Sequence, residues 1–371
     1  AIYGTVTACA FIPAILLSPI GGIVADRVNK RDIMVILDFF TAAVIAGFSL
    51  LMNSVNLTVL LAVTLMILYG IAGAYQPSVQ ASVPTLVSPD NFMAANSVIN
   101  TISSFASLLG PVLGGILYSV YGLKSVLHVC IVCFLLSAVM EIFIKIPFIK
   151  QTSEGSLWKI VKEDFAQSIR FIRKEKPEIG KGLLVICGIN LFLAAMIIVG
   201  LPYMVTEVLD LGAAQANKLY GFAEGALAAG GLVGGICAGI FAKKLNIQKS
   251  GNLIIICAVS VFPMAVSLLF TSLGMINYIV MTVCCFVIMV FSTIFTVQMM
   301  SFVQAETPQE FIGKVIAVIL TVAMCAQPLG NVLYGILFEV LKGWECLVIF
   351  FAGTVSLLIA ICTRHIFREI R

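Results

Sequence analysis

The chain has 371 residues, of which 61% are hydrophobic and 11% charged, and its formal net charge is +4. A mean hydropathy of +1.11 and less than half of the roughly 25% charge typical of soluble domains exclude an ordinary soluble protein. The bases are dispersed along the chain and form no basic patch, which gives no support to nucleic-acid binding.

Apolar runs recur at about 3–24, 32–52, 57–76, 93–119, 124–146, 182–206, 213–242, 250–272, 276–302, 310–341 and 345–363. Each is long enough to cross roughly 30 Å of hydrocarbon as a helix. None shows the alternating ten-residue pattern of an outer-membrane barrel. The first run has neither a basic leader nor a small-residue cleavage site, so it reads as a spanning helix and not a signal peptide. With residues 26–31 placed in the cytoplasm, nineteen of the 22 Lys and Arg fall on that side, and only Lys124, Lys218 and Lys342 on the other. The positive-inside rule then predicts a multi-pass protein of a bacterial-type inner membrane with its central linker and C-terminus cytoplasmic.

The first loop reads Gly22-Ile-Val-Ala-Asp26-Arg27-Val-Asn29-Lys30-Arg31. It closely resembles the signature loop between the second and third helices of major facilitator superfamily transporters. The resemblance implies an all-α membrane fold of two pseudo-symmetric six-helix halves. It also implies a gate: Gly22 admits a close helix, and Asp26 accepts hydrogen bonds at the N-terminus of the family's eleventh helix, where the dipole favours an anion. Arg27 and Arg31 would support that lock, while Lys30 could equally be a topological anchor. Asn29 stands where the family has Gly, and we expect it to take the left-handed turn.

In the next helices, Asp38 is expected to join the same charge network, and Glu141 to pair with Lys145 at i+4. The usual Arg of the family's fourth helix would fall near Ile67 and is absent, which excludes proton coupling through it. The Pro77-Ser-Val-Gln80-Ala-Ser-Val-Pro84 stretch and Ala94-Ala95-Asn96-Ser97 look like the family's efflux and secretion-effector branch. Gly110-Pro111-Val-Leu-Gly114-Gly115 resembles the antiporter signature of its drug exporters, with Gly110 and Gly114 one turn apart and Pro111 bending the helix. The eleven cysteines lie nearly all in apolar runs and read as small buried residues, not a disulfide framework or metal site.

Residues 147–181 link the halves, with Leu157, Val161, Phe165, Ile169 and Ile172 forming one apolar stripe. That predicts an amphipathic helix on the inner membrane surface, serving as a tether. An internal repeat supports the two-half division. Tyr3-Gly4 recurs as Tyr220-Gly221, residues 22–29 recur as 239–246, and residues 110–114 as 327–331, each at an offset of 217. We therefore expect an N-terminal half at 1–146 (family helices 2–6) and a C-terminal half at 182–371 (helices 7–12). At that offset the counterpart of the 182–206 helix falls before Ala1, so about 37 preceding residues with one more helix are expected.

In the second half Gly231, Gly235 and Gly239 form a packing row. Glu224 lies in an apolar helix opposite Thr7 in the repeat, and we single it out as the proton-coupling candidate. The family's cavity helices would offer Tyr69, Asn190, Phe192, Met196, Met289, Phe291, Phe295 and Gln298, with Asn100, Gln327 and Asn331 from flanking helices. Aromatic and Met surfaces with a few amides suit an amphipathic ligand. The expected protein is a monomeric secondary transporter in the lipid bilayer, a multidrug-type antiporter exporting a drug-like compound against protons, with no cofactor and no metal. A lysophospholipid flippase or siderophore exporter is the alternative within the class. An integral-membrane enzyme lacks a polar catalytic cluster, and a channel is disfavoured by the repeat.

Overall fold

The computed structural model describes residues 2–147, 157–209, 211–269 and 274–368. The helices in chain order are α1 (Ile2–Arg27), α2 (Lys30–Leu51), α3 (Leu57–Leu86), α4 (Phe92–Ile142) and α5 (Leu157–Arg170), then α6 (Pro177–Gly188), α7 (Ala195–Tyr203) and α8 (Ala213–Ile240). They are followed by α9 (Ser250–Ser267), α10 (Gly274–Glu306), α11 (Ile312–Val340) and α12 (Glu345–Arg368). Among the described residues nine helical segments are long and apolar enough to cross a membrane, with the stretch around α4 counted as one and 177–208 as another. Among the described residues, each apolar run of the sequence is helical over most of its length.

Local chemistry sets the breaks. The two runs at 93–119 and 124–146 meet at Gly122, whose φ of 74° interrupts α4; only a residue without a Cβ takes that conformation at little strain. Asn56 starts α3 by accepting from the amides of Thr58 and Val59. Asn29 corrects the expected left-handed turn. Its φ is −58°, and it caps α2 with its side chain accepting from Arg31 N–H at 3.0 Å. The span at 177–208 carries two wide π-helical turns, Ile189–Ala194 and Met204–Val208.

Helix α3 runs ten residues past the apolar run that predicts it, through Pro77 and Pro84. A proline removes one helical donor, so Pro84 leaves the carbonyl of Gln80 free. The Gln304 side chain fills that vacancy, donating to Gln80 O at 3.0 Å and to its amide oxygen at 3.3 Å. Hydroxyls of Ser78, Ser82 and Thr85 donate to carbonyls of the preceding turn, as expected where water is scarce.

The chain divides into two compact units. One comprises Ala1–Pro89, Gly110–Lys176 and Gln304–Thr321; the other comprises Asp90–Leu109, Pro177–Val303 and Val322–Arg371. Each therefore includes a short segment from the other sequence repeat. In the first, α1 lies along α3, and a Cβ on Gly21 or Gly73 would overlap the backbone of Ala74 or Ala14. In the second, α8 is packed on two faces. Gly231, Gly235 and Gly239 face Ser104, Thr101 and Ser97 of α4, while Gly230 and Gly234 face the carbonyls of Phe286 and Val290 of α10. Small residues let backbones approach where lipid supplies no hydrophobic drive between helices.

This packing predicts a graded response to volume. Gly235→Val places its side chain against the backbone and hydroxyl of Thr101 and should cost about 1–3 kcal/mol in thermal unfolding in detergent. Gly221→Ala, in the same helix with nothing within 4 Å of the new Cβ, should be neutral or stabilising by up to about 1 kcal/mol. Equal melting of both variants would contradict close packing at Gly235.

Candidate functional site: a carboxylate lock at the start of α11

Asp26 sits in the last turn of α1 and is only 4% exposed. Its Oδ1 accepts from the backbone N–H of Gly313 and its Oδ2 from that of Lys314, each at 2.8 Å. Those amides belong to the first turn of α11, where no intrahelical acceptor exists. The carboxylate thus caps a helix 287 residues away in sequence. Each hydrogen bond to a charged acceptor contributes roughly 1.5–3 kcal/mol, and the helix dipole adds about 0.3–1 kcal/mol.

Two glycines make the approach possible. A Cβ on Gly22 would overlap Ala317 Cβ and the Gly313 carbonyl, and one on Gly313 would overlap Asp26 Oδ1 and the Gly22 carbonyl. Burial pushes the Asp26 carboxyl up to about 7, opposed by the amides of Lys314 and Gly313 and by the charges of Lys30 and Lys314.

A second buried acid, Asp164 of α5, completes the cluster. It accepts from Arg27 Nε at 3.0 Å and from Arg27 Nη2, and Lys314 Nζ donates to its Oδ1 at 2.9 Å. Lys314 therefore serves both acids, its amide on Asp26 and its ammonium on Asp164. The same ammonium lies 5.2 Å from the centroid of the Phe311 ring, within cation–π range. Phe311 stacks on Phe171 at 5.9 Å and 6°, and Lys176 pairs with Glu306 at 2.5 Å.

The predicted gate residues separate here. Gly22, Asp26 and Arg27 are brought together, but Arg31 pairs with its neighbour Asp32 at 2.7 Å. Lys30 is buried beside Asp26. Asp38 does not join the network. It bonds Ser137 and lines a cavity of about 460 Å³ with Thr41, Tyr75, Gln76 and Cys133. Glu141 accepts from Tyr75 Oη at 2.7 Å instead of pairing with Lys145; α4 ends at Ile142, so the helical i+4 spacing is lost. A Cβ on Gly110, Gly114 or Gly115 meets nothing within 4 Å, and Pro111 is exposed.

The linker docks by a different register from its apolar stripe. Asp164, Ser168, Phe171 and Ile172 are buried, while Phe165 and Ile169 are half-buried. The side chains of Leu157 and Val161 lie outside those described. Asp164 was missed because its partners stand 137 and 150 residues away; its one local mark is its place beside the apolar stripe.

Of the cavity candidates, Tyr69 belongs to the first unit and is half-buried. The others belong to the second unit. Phe192 meets Phe351 edge-on at 6.3 Å, Phe291 packs against Ala238, Ile294 and Val297, and Met196 and Phe295 are core. Met289 and Gln327 are half-buried. Asn190 donates to Ala323 O at 3.2 Å and Asn100 to Asn96 O at 2.9 Å. Gln298 Oε1 and Asn331 Oδ1 are buried without a hydrogen-bond partner among the described residues. Asn96, missed as a contact, donates to Ser301 Oγ at 3.1 Å. Glu224 is exposed and accepts from Tyr220 Oη at 2.9 Å.

Among the described residues, long apolar helices packed on small residues define a multi-span membrane protein, and its family and efflux relatives make it a transporter and not an enzyme. The chain belongs to the Major Facilitator Superfamily, whose family model matches residues 1–331. It is 22% identical over 336 residues to macrolide efflux protein A of Streptococcus pyogenes, covering 87% of this chain and 77% of that one. Macrolide efflux protein A of Enterococcus faecalis is 24% identical over 334 residues, covering 86% and 96%. Among solved structures, a bacterial homologue of the iron transporter ferroportin in an outward-facing state superposes with a TM-score of 0.73 at 18% identity, covering 99% of this chain and 89% of that one. The E. coli fucose:proton symporter also gives 0.73, at 14% identity, covering 98% and 90%. At these identities the two structures show the shared fold alone.

The lock predicts a graded release. Asp26→Asn offers one acceptor to two amides and Asp26→Ala offers none, and each buried amide left unpaired costs about 1–3 kcal/mol. Hydrogen exchange at Gly313 and Lys314 should therefore rise roughly five- to hundredfold in the Asn variant and further in the Ala variant. Wild-type exchange rates in both would contradict capping by Asp26.

Proposed function

We propose that this protein exports an amphipathic, macrolide-like small molecule by alternating access, in exchange for protons. The observation that carries the reading is the Asp26 lock, a compact polar contact between the first and second sequence repeats. Such a contact is strong enough to hold one state, and it is small enough to be released when a ligand favours another. On this reading the repeats at 1–146 and 182–371 are the moving halves and 147–181 is their cytoplasmic connector, in a monomer of the bacterial cell membrane. Similarity to two macrolide efflux proteins supports the substrate class and the outward direction.

Gln298 and Asn331 are the ligand-orienting groups, because each has a buried amide oxygen with no hydrogen-bond partner among the described residues. Asn100, Asn190, Phe192, Met289, Phe291, Phe295 and Gln327 of the same unit supply the surrounding surface as it rearranges. Glu224 is the coupling acid: an apolar helix carries it, and Tyr220 holds only one of its oxygens. Its proton and a cationic ligand would compete for the same carboxylate. Gly110, Pro111 and Gly114 let α4 bend as the states exchange.

Reconstituted in proteoliposomes, the wild type should drive macrolide movement with a pH gradient. Glu224→Gln should abolish that coupling while leaving exchange down a macrolide gradient within about twofold, since conservative surface changes perturb little else. Retained pH-driven transport in the variant would place the coupling acid elsewhere. A wild type that moves lysophospholipid and not macrolide would overturn the substrate assignment.

A further inference from the structure

The contacts of α5 go beyond those of a tether. A tether needs length and solubility, and an amphipathic surface helix needs its apolar stripe turned to lipid. Here one of the two buried positions on the described part of α5 is a charged one, Asp164, at 3% exposure. Burying a carboxylate is unfavourable unless its charge and lone pairs are matched. They are matched by Arg27, adjacent in sequence to the lock residue Asp26, and by Lys314, whose own amide is bound by Asp26. The charge of Asp164 is thus placed on two bases beside the lock, one following Asp26 in the chain and one whose amide Asp26 binds. Lys30 is a further base beside Asp26.

The packing around it runs the same way. Ser168, one turn along, is fully buried and donates to Asp164 O at 2.8 Å. The next turn brings Phe171 onto Phe311, the residue preceding α11, and Lys176 closes on Glu306 at the end of α10. Three positions along the linker, Asp164, Phe171 and Lys176, therefore contact 306–314, the segment that contains the amides bound by Asp26.

We propose that Asp164 is a positioning residue of the transport gate. It holds Arg27 and Lys314 together, so that the N-terminus of α11 and the linker helix are released in one step. This rests on the gating role given above to Asp26. If Asp164 departs while Asp26 remains bound, Arg27 and Lys314 lose the acid that balances them in a buried site. If α11 departs alone, Asp164 loses Lys314 and Phe171 loses Phe311. Each half-released state is penalised, so the two contacts are coupled.

The test is hydrogen exchange on the full-length protein in nanodiscs, read in two segments, 163–172 and 311–316. Asp164→Asn should accelerate exchange in both, by at least about tenfold at Gly313 and Lys314, because breaking one side of a buried charge cluster leaves cations uncompensated. Asp164→Glu keeps the charge and should recover most of the protection, which loss of helix packing alone would not allow. Should Asp164→Asn fail to fold, Phe171→Ala removes the ring stack and leaves every charge in place; it should also raise exchange at 311–316.

A merely structural linker would behave differently. Asp164→Asn would then loosen 163–172 and leave Gly313 and Lys314 as protected as in wild type, and that result overturns the proposal. The Asp26 variants separate the two ideas. If they release 311–316 and Asp164→Asn does not, the lock stands and the coupling to the linker fails. If the Asp26 variants leave 311–316 protected, the lock itself fails.

Discussion

A carboxylate removed from water at the end of α1 and two amides at the start of α11 depend on each other. Neither is tolerable alone: the amides are unpaired helix-terminal donors, and the buried anion needs donors in fixed places. Their meeting requires backbones so close that neither Gly22 nor Gly313 could carry a side chain. It then dictates the surroundings. Lys314, next to Gly313, brings an ammonium that must be balanced, and Asp164 balances it together with Arg27. The pairing of Asp164 with Arg27 and Lys314 follows from one capping interaction.

The rest of the helical body obeys the same scarcity of water. Backbone groups freed by proline find side-chain partners, as Gln80 O finds Gln304. Helix α8 meets α4 on glycine, serine and threonine along Gly231, Gly235 and Gly239, while other helices meet on large side chains, as Phe192 meets Phe351. Contacts made of small groups and a few hydrogen bonds have modest energies compared with an interdigitated core. That suits the alternating access proposed above.

Much of this was legible from local spacing. The helices and the break in α4 follow from apolar runs, and the contact of Asp26 with the start of α11 from a charged loop whose pattern resembles a known one. The part that was not legible depends on distant pairing. Asp164 reads as one of five acids in a basic linker until Arg27 and Lys314 are placed beside it. Glu141 reads as a partner of Lys145 until the helix is seen to end at Ile142. Asn29 reads as a substitute for glycine, but the helix that follows needed a cap more than the loop needed a left-handed turn. For the two acids sequence supplies the residue type and tertiary contact decides the partner, while for Asn29 the deciding contact is the local cap.

The most direct test of a lock that opens and closes is a distance measured across it during transport. Spin labels at Val28 and Glu310, both exposed and flanking the Asp26 contact, can be read by pulsed dipolar spectroscopy in nanodiscs. The account predicts one short-distance population in the resting protein and a second, longer one that grows when a macrolide and a pH gradient are supplied. A single distance unchanged under transport conditions would show that the contact is a fixed strut and not a gate.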